Sequence, residues 1–218
     1  MKTISVIAAA ALSATVATTA LANSVVYTDG PGDIQGGIFH AVTATQGSFD
    51  TFCIEFTEHL NTTGTVTYSY DVNDYATFNG QGGGFRDPLD SRTAFIYTQF
   101  RHGEIRNILG DQGLSDTDMS NAIQIAMWAI EDEPVDFSFH SQFANAQLLI
   151  AAAENAIANG TWSGLGNVRV MNVWVQGQEG TTQGARQDTL IMLPLPSGAG
   201  LASVGLLGLG FVSRKRRR

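Results

Sequence analysis

Lysine is almost absent from this chain of 218 residues: only Lys2 and Lys215 carry an ε-amine, one near each end. The long stretch between them therefore cannot form the intramolecular Lys-Asn isopeptide bonds that lock many surface adhesins. Its six basic residues, Arg86, Arg92, Arg101, Arg106, Arg169 and Arg186, stand against all 20 acidic ones. The net charge of -8 thus understates the acidity of the body, whose balance is -14 once the basic ends are set aside. Nucleic-acid binding is excluded as a function, because neutralising phosphates needs a basic face. Cysteine is nearly as scarce. Cys53 is the only one, so no internal disulfide can form.

Metal and cofactor signals are missing as well. His40, His59, His102 and His140 are too dispersed for a zinc site, and none joins Cys53 in a recognisable hydrolase motif. Asp71-Val72-Asn73-Asp74 begins like a calcium loop, but Tyr75 and Ala76 occupy the later ligand and glycine positions. Asn79-Gly80-Gln81-Gly82-Gly83-Gly84 has no Lys-Ser/Thr after it and reads as a flexible loop, not a phosphate cradle. No metal and no cofactor is expected.

The ends read as targeting segments. Lys2, the apolar run Ile4 to Ala14 and the small-residue site Ala20-Leu21-Ala22 make residues 1–22 a signal peptide. Cys53 lies too far downstream to be a lipidated first residue. At the other end, the apolar run Gly198 to Val212 falls short of the roughly 20 residues of an ordinary membrane span. The basic run Arg214 to Arg218 behind it would keep the tail cytoplasmic and the body outside. Residues 193–218 form the C-terminal segment, and residues 23–192 a body the size of one domain.

Leu193-Pro194-Leu195-Pro196-Ser197, the apolar run and the Arg-rich tail together resemble the sorting signals of exosortase substrates, the PEP-CTERM class, in its VPLPA variant. Pro194, Leu195 and Pro196 carry the match; Leu193 and Ser197 replace the usual Val and Ala. The resemblance implies processing by an exosortase-type enzyme and transient anchoring in the inner membrane. It also implies delivery to the cell surface or extracellular matrix, among exopolysaccharide or biofilm components. Pro196 stands where a sortase signal has Thr, which sets the sortase reading aside.

Within the body, alternation predicts strands at Ser24–Thr28, Gly37–Thr45, Ser48–Phe56 and Thr63–Val72, with Cys53 in the third. Helical periodicity follows, at Leu89–Phe100 after a cap at Asp87-Pro88, from Ser115 or Asp116 to Glu131, and at Ser141–Ala158. Strands return at Val168–Gln176 and Asp188–Leu193. The expected fold is α+β: an antiparallel sheet, sandwich or open barrel-like, with an inserted helical block in a single domain. Glu131-Asp132-Glu133 reads as a solvated acidic helix end.

On the second helix Gln124 and Trp128 are four residues apart and share a face. The Phe-Cys-Ile strand around Cys53 and this Gln-x-Ala-x-Trp helix together resemble the thioester (TQXA) domains of bacterial surface proteins, with Ile123 where that family has Thr. The resemblance implies that Cys53 and Gln124 condense into an internal thioester open to an amine or hydroxyl of a target, without turnover. Ala126 and Trp128 match the positions after the glutamine, and Phe52, Trp128 and Ala126 are the expected shields against water. His59 and Glu55 are the nearest proton-transfer groups in sequence. The alternative is a non-catalytic extracellular structural or binding protein whose Cys53 is an inert buried thiol.

Overall fold

The computed structural model describes residues 23–77, 86–110 and 113–194. The expected signal peptide, the Gly-rich loop at 79–84, Leu195, Pro196, and the apolar run and basic tail lie outside the described residues. Among the described residues no helix is long and apolar enough to cross a membrane.

The chain begins as an antiparallel meander of β1 (Ser24–Asp29), β2 (Phe39–Thr43) and β3 (Gly47–Thr51). β4 (Thr63–Asn73) then pairs with the free side of β1. A hairpin of β5 (Tyr75–Thr77) and β6 (Arg86–Pro88) leads into α1 (Ser91–Arg101), α2 (Ile105–Ile108), α3 (Asp116–Ile130) and α4 (Phe143–Ala158). β7 (Val168–Val175) and β8 (Ala185–Met192) rejoin the sheet beside β4, giving the order β3-β2-β1-β4-β7-β8. The helices are thus an insertion between two neighbouring strands of a curled six-stranded antiparallel sheet, and the whole is one α+β domain.

Helix ends follow their capping chemistry. The Ser115 hydroxyl accepts the Asp118 backbone N–H at 3.1 Å and donates to the Asp118 carboxylate at 2.7 Å. Asp116 and Asp118 add negative charge at the positive end of the α3 dipole. α1 starts later than Asp87-Pro88 suggests. Leu89 N–H is held by Asp74 O, which keeps Arg86–Pro88 extended as β6. Asp90 then supplies the cap, accepting from Arg92 N–H at 2.7 Å. β5, β6 and α2 are too short to show a period and are visible only in the structure.

Two clusters share the core. One joins Phe52, Ile54, Val168, Val170 and Leu190 to the apolar sides of the four helices. The other fills the curl of the sheet with Val25, Tyr27, Ala41, Tyr68, Tyr70 and Met171, together with Cys53 and Trp128. A large apolar side chain removed fully from water contributes roughly 1.5–3 kcal/mol, so both clusters hold the fold.

A seam closes the sheet. Phe52 O accepts Leu190 N–H at 3.1 Å, Asp188 O accepts Ile54 N–H at 3.2 Å, and the Thr51 hydroxyl donates to Leu190 O at 2.6 Å. Cys53 sits between them in an isolated antiparallel bridge to Thr189. β3 therefore ends at Thr51 and does not run on to Phe56 as alternation predicts, because its continuation leaves β2 and is stitched to β8. The two edge strands of the sheet meet there, which makes the architecture the open barrel-like one and not a sandwich.

Candidate functional site

The seam delivers Cys53 to α3. The Cys53 thiol donates to Gln124 Oε1 across 3.3 Å, and Gln124 Nε2 donates back to Cys53 O at 2.8 Å. Gly37 N–H donates to the same Oε1 at 3.2 Å. These partners fix the orientation of the amide. With oxygen and nitrogen exchanged, NH2 would face the Gly37 donor, and the Cys53 carbonyl would face an oxygen. The Gln124 carbonyl is thus polarised by a backbone N–H while its nitrogen is engaged by the Cys53 carbonyl.

A polar stripe on α3 makes this possible. Ser120, Asn121 and Gln124 fall on one side of an otherwise apolar helix and grip the loop from Pro31 to Ile38. The Ser120 hydroxyl accepts Ile38 N–H at 2.9 Å and donates to Pro31 O at 2.5 Å. Asn121 Oδ1 accepts Asp33 N–H at 3.2 Å, and Asn121 Nδ2 donates to Asp33 Oδ1 at 2.6 Å. Gly37 holds φ at +132°, where L side chains are strained, so the loop can turn its N–H onto Gln124.

The site is dry. Cys53, Gln124 and Trp128 are each 0% exposed. Trp128 stacks on Phe137, their rings 5.3 Å apart, and meets Phe56 edge-on at 5.0 Å. Burial, first of all, pushes the Cys53 thiol well above its ordinary pKa, and the charges of Glu55 and Glu133 add to the rise. Trp128 opposes it, because its buried indole N–H favours the charged form of the sulfur.

Of the residues singled out from sequence, Cys53, Gln124 and Trp128 come together. Phe52 does not join them. It points into the helix-side cluster and packs edge-on against Phe100 at 4.9 Å, as alternation with Cys53 requires. Ala126 is buried in that same cluster. Pro194 lies at the end of the described chain, away from any site contact shown, with Leu195 and Pro196 beyond it. His59 is exposed on a cleft of about 280 Å³, which Asp29, Asp33, Gln35 and Gly36 also line. Gly36 is the wall between this cleft and the thiol site: a Cβ there would lie 2.6 Å from Trp128 Cη2 and 3.1 Å from Gln124 Cγ.

At the acidic end of α3 Asp132 is exposed as expected, but the two glutamates beside it are not. Glu131 turns back to accept Asp90 N–H at 3.3 Å, and Glu133 accepts Phe56 N–H at 2.9 Å, because the chain folds under the helix after Asp132 at φ +55°. Burial raises Glu131 to about 8 and Glu133 to about 7. Gly37 and the loop-gripping pair Ser120 and Asn121 escape sequence reasoning. Polar residues at helical spacing beside Gln124 were the signal for the pair.

No family model matches the chain, and no curated protein matches it. Among solved structures it is similar to the N-terminal thioester domain of fibronectin-binding protein SfbI from Streptococcus pyogenes. That similarity has 11% identity and a TM-score of 0.47, and covers 79% of this chain and 94% of the other.

Proposed function

We propose that Cys53 and Gln124 condense into an internal thioester and that the domain uses it once, to attach the protein covalently to a target. The observation that carries this reading is the thiol placed 3.3 Å from an amide oxygen that Gly37 N–H also binds. Sulfur attacks Gln124 Cδ, and the oxyanion that develops stays on the Gly37 donor. The S–C bond forms as the C–N bond breaks, and the thiol proton leaves with Nε2 as ammonia. A target amine or hydroxyl later attacks the same carbon and expels Cys53 as a thiolate, which the buried Trp128 indole N–H would stabilise. Burial of the site shields the thioester from hydrolysis. Asp29 and Asp33 on the neighbouring cleft favour a cationic amine as the incoming group.

The C-terminal resemblance sets the location in this reading. The chain is exported, held briefly in the inner membrane, processed by an exosortase-type enzyme, and left at the cell surface or in the matrix. The domain turns over no substrate.

One observation favours a second reading. Complete burial and the raised thiol pKa also suit an inert core cysteine in a structural or binding protein. Intact mass of the purified chain separates the two. The thioester gives a deficit of one ammonia that disappears in Cys53→Ala and in Gln124→Ala. Full mass, with a thiol that titrates only on unfolding, sinks the proposal.

A further inference from the structure

Two residues past Cys53, Glu55 faces Glu58 and Asp188, and Asp188 adjoins Thr189, the bridge partner of Cys53. One carboxylate oxygen from each of the three lies within 4.8 Å of the others. Glu55 is 1% and Asp188 2% exposed. Asp188 is well supplied with donors: Val173 N–H at 2.9 Å, Thr77 N–H at 2.8 Å and Asn172 Nδ2 at 2.6 Å. Its partners have fewer: Glu55 Oε2 accepts the Asp188 backbone N–H at 3.4 Å. Glu55 Oε1 and Glu58 Oε2 are both buried with no hydrogen-bond partner. Arg186 is the cation whose charge reaches Glu58, and Glu133 adds further negative charge.

A buried carboxylate oxygen without a donor is costly, and three carboxylates together repel one another. Such a group needs protons or a cation. Ion size and ligand preference discriminate between cations. Calcium binds oxygen at about 2.3–2.6 Å, so ligands on opposite sides of it stand roughly 5 Å apart; magnesium, at about 2.0–2.1 Å, holds them within roughly 4 Å. Oxygens that lie within 4.8 Å of one another can share one ion, and a set of three carboxylates in irregular geometry is the kind calcium takes, whereas magnesium binds through one or two carboxylates and keeps its waters.

We propose that Glu55, Glu58 and Asp188 form a divalent cation site of calcium type, which ties the segment carrying Cys53 to β8. Water completes the coordination, as is usual for this ion. The site stands independently of whether Cys53 and Gln124 bond, since its ligands belong to the seam and not to α3.

The test is a calorimetric titration of the metal-stripped full chain with calcium at neutral pH, with magnesium as the comparison and a melt at each end point. The expected result is saturable calcium binding, weaker magnesium binding, and a melting temperature several degrees higher with calcium. Glu58→Gln, at a partly exposed position, removes a ligand and should weaken binding by at least about 10-fold, the least that loss of even an outer-shell partner costs, and remove the thermal shift. Terbium bound to the unsubstituted chain, and displaced by calcium, gives the same reading without any substitution. Three results overturn the site: no calcium heat or shift, binding unchanged in Glu58→Gln, or a metal-stripped chain that Glu58→Gln stabilises while calcium does nothing. The last would show that the carboxylates are held by shared protons.

Discussion

Gly36 lacks a side chain at the one place where the ring of Trp128 and the stem of Gln124 leave no room for one. Its backbone is not in the left-handed region, so the constraint is purely steric. Gly36→Ala should therefore cost about 1–3 kcal/mol in denaturant unfolding, the usual range for overpacking. By displacing Trp128 and Gln124 it should also reduce the fraction of chain that shows the ammonia deficit. An unchanged unfolding free energy would mean that the wall is softer than the geometry says. At this scale the sequence is legible where chemistry is rare. A lone thiol, a glutamine in an apolar helix and a tryptophan four residues on can be read directly. The Gly37 donor cannot, because a backbone N–H is the same in every residue and only the fold aims it. Phe52 shows the converse: alternation already put it on the far face from Cys53, and that rule outweighs the adjacency that made it a candidate shield.

At the scale of elements, α3 is the most legible, since Ser115 caps it and apolar spacing runs along its length. Its C-terminal turn is not, because a run of acidic residues looks solvated until the chain is seen to fold beneath the helix. That turn has a thermodynamic signature. Glu131 and Glu133 rise from about 4.5 in the unfolded chain to about 8 and about 7 in the fold, chiefly through burial. Between these values the folded state holds more protons than the unfolded one, so stability falls as pH rises from about 4.5 to about 8. Asp90 and Asp87 face Glu131 and deepen the effect, and Glu58 and Asp188 are shifted in the same direction. In metal-free buffer the melting temperature should drop between about pH 5 and about pH 8, and less steeply in Glu131→Gln. A flat profile for the unsubstituted chain would place these carboxylates in water after all. The end of β3 and the start of α1 depart from their local patterns for a shared reason. Each is decided by a long-range backbone partner, β8 for one and Asp74 for the other, that no local pattern announces.

At the scale of the whole molecule, composition and the succession of strands and helices suffice for an α+β class with an inserted helical block. They do not give the order β3-β2-β1-β4-β7-β8, because pairing between distant strands depends on side chains that meet only after collapse. The seam between β3 and β8 is a product of that order, and it sets Cys53 against a residue 71 positions away. A thioester there would act as a covalent staple between sheet and helix, closing a loop whose lost entropy is worth about 4 kcal/mol to the folded state. Reaction with a target cuts the staple. The attached domain should then melt below the latent one, which can be checked by comparing the chain before and after opening with a small amine. Identical melts would argue against a staple. Attachment would thus leave a softer module on its target than the latent domain that met it.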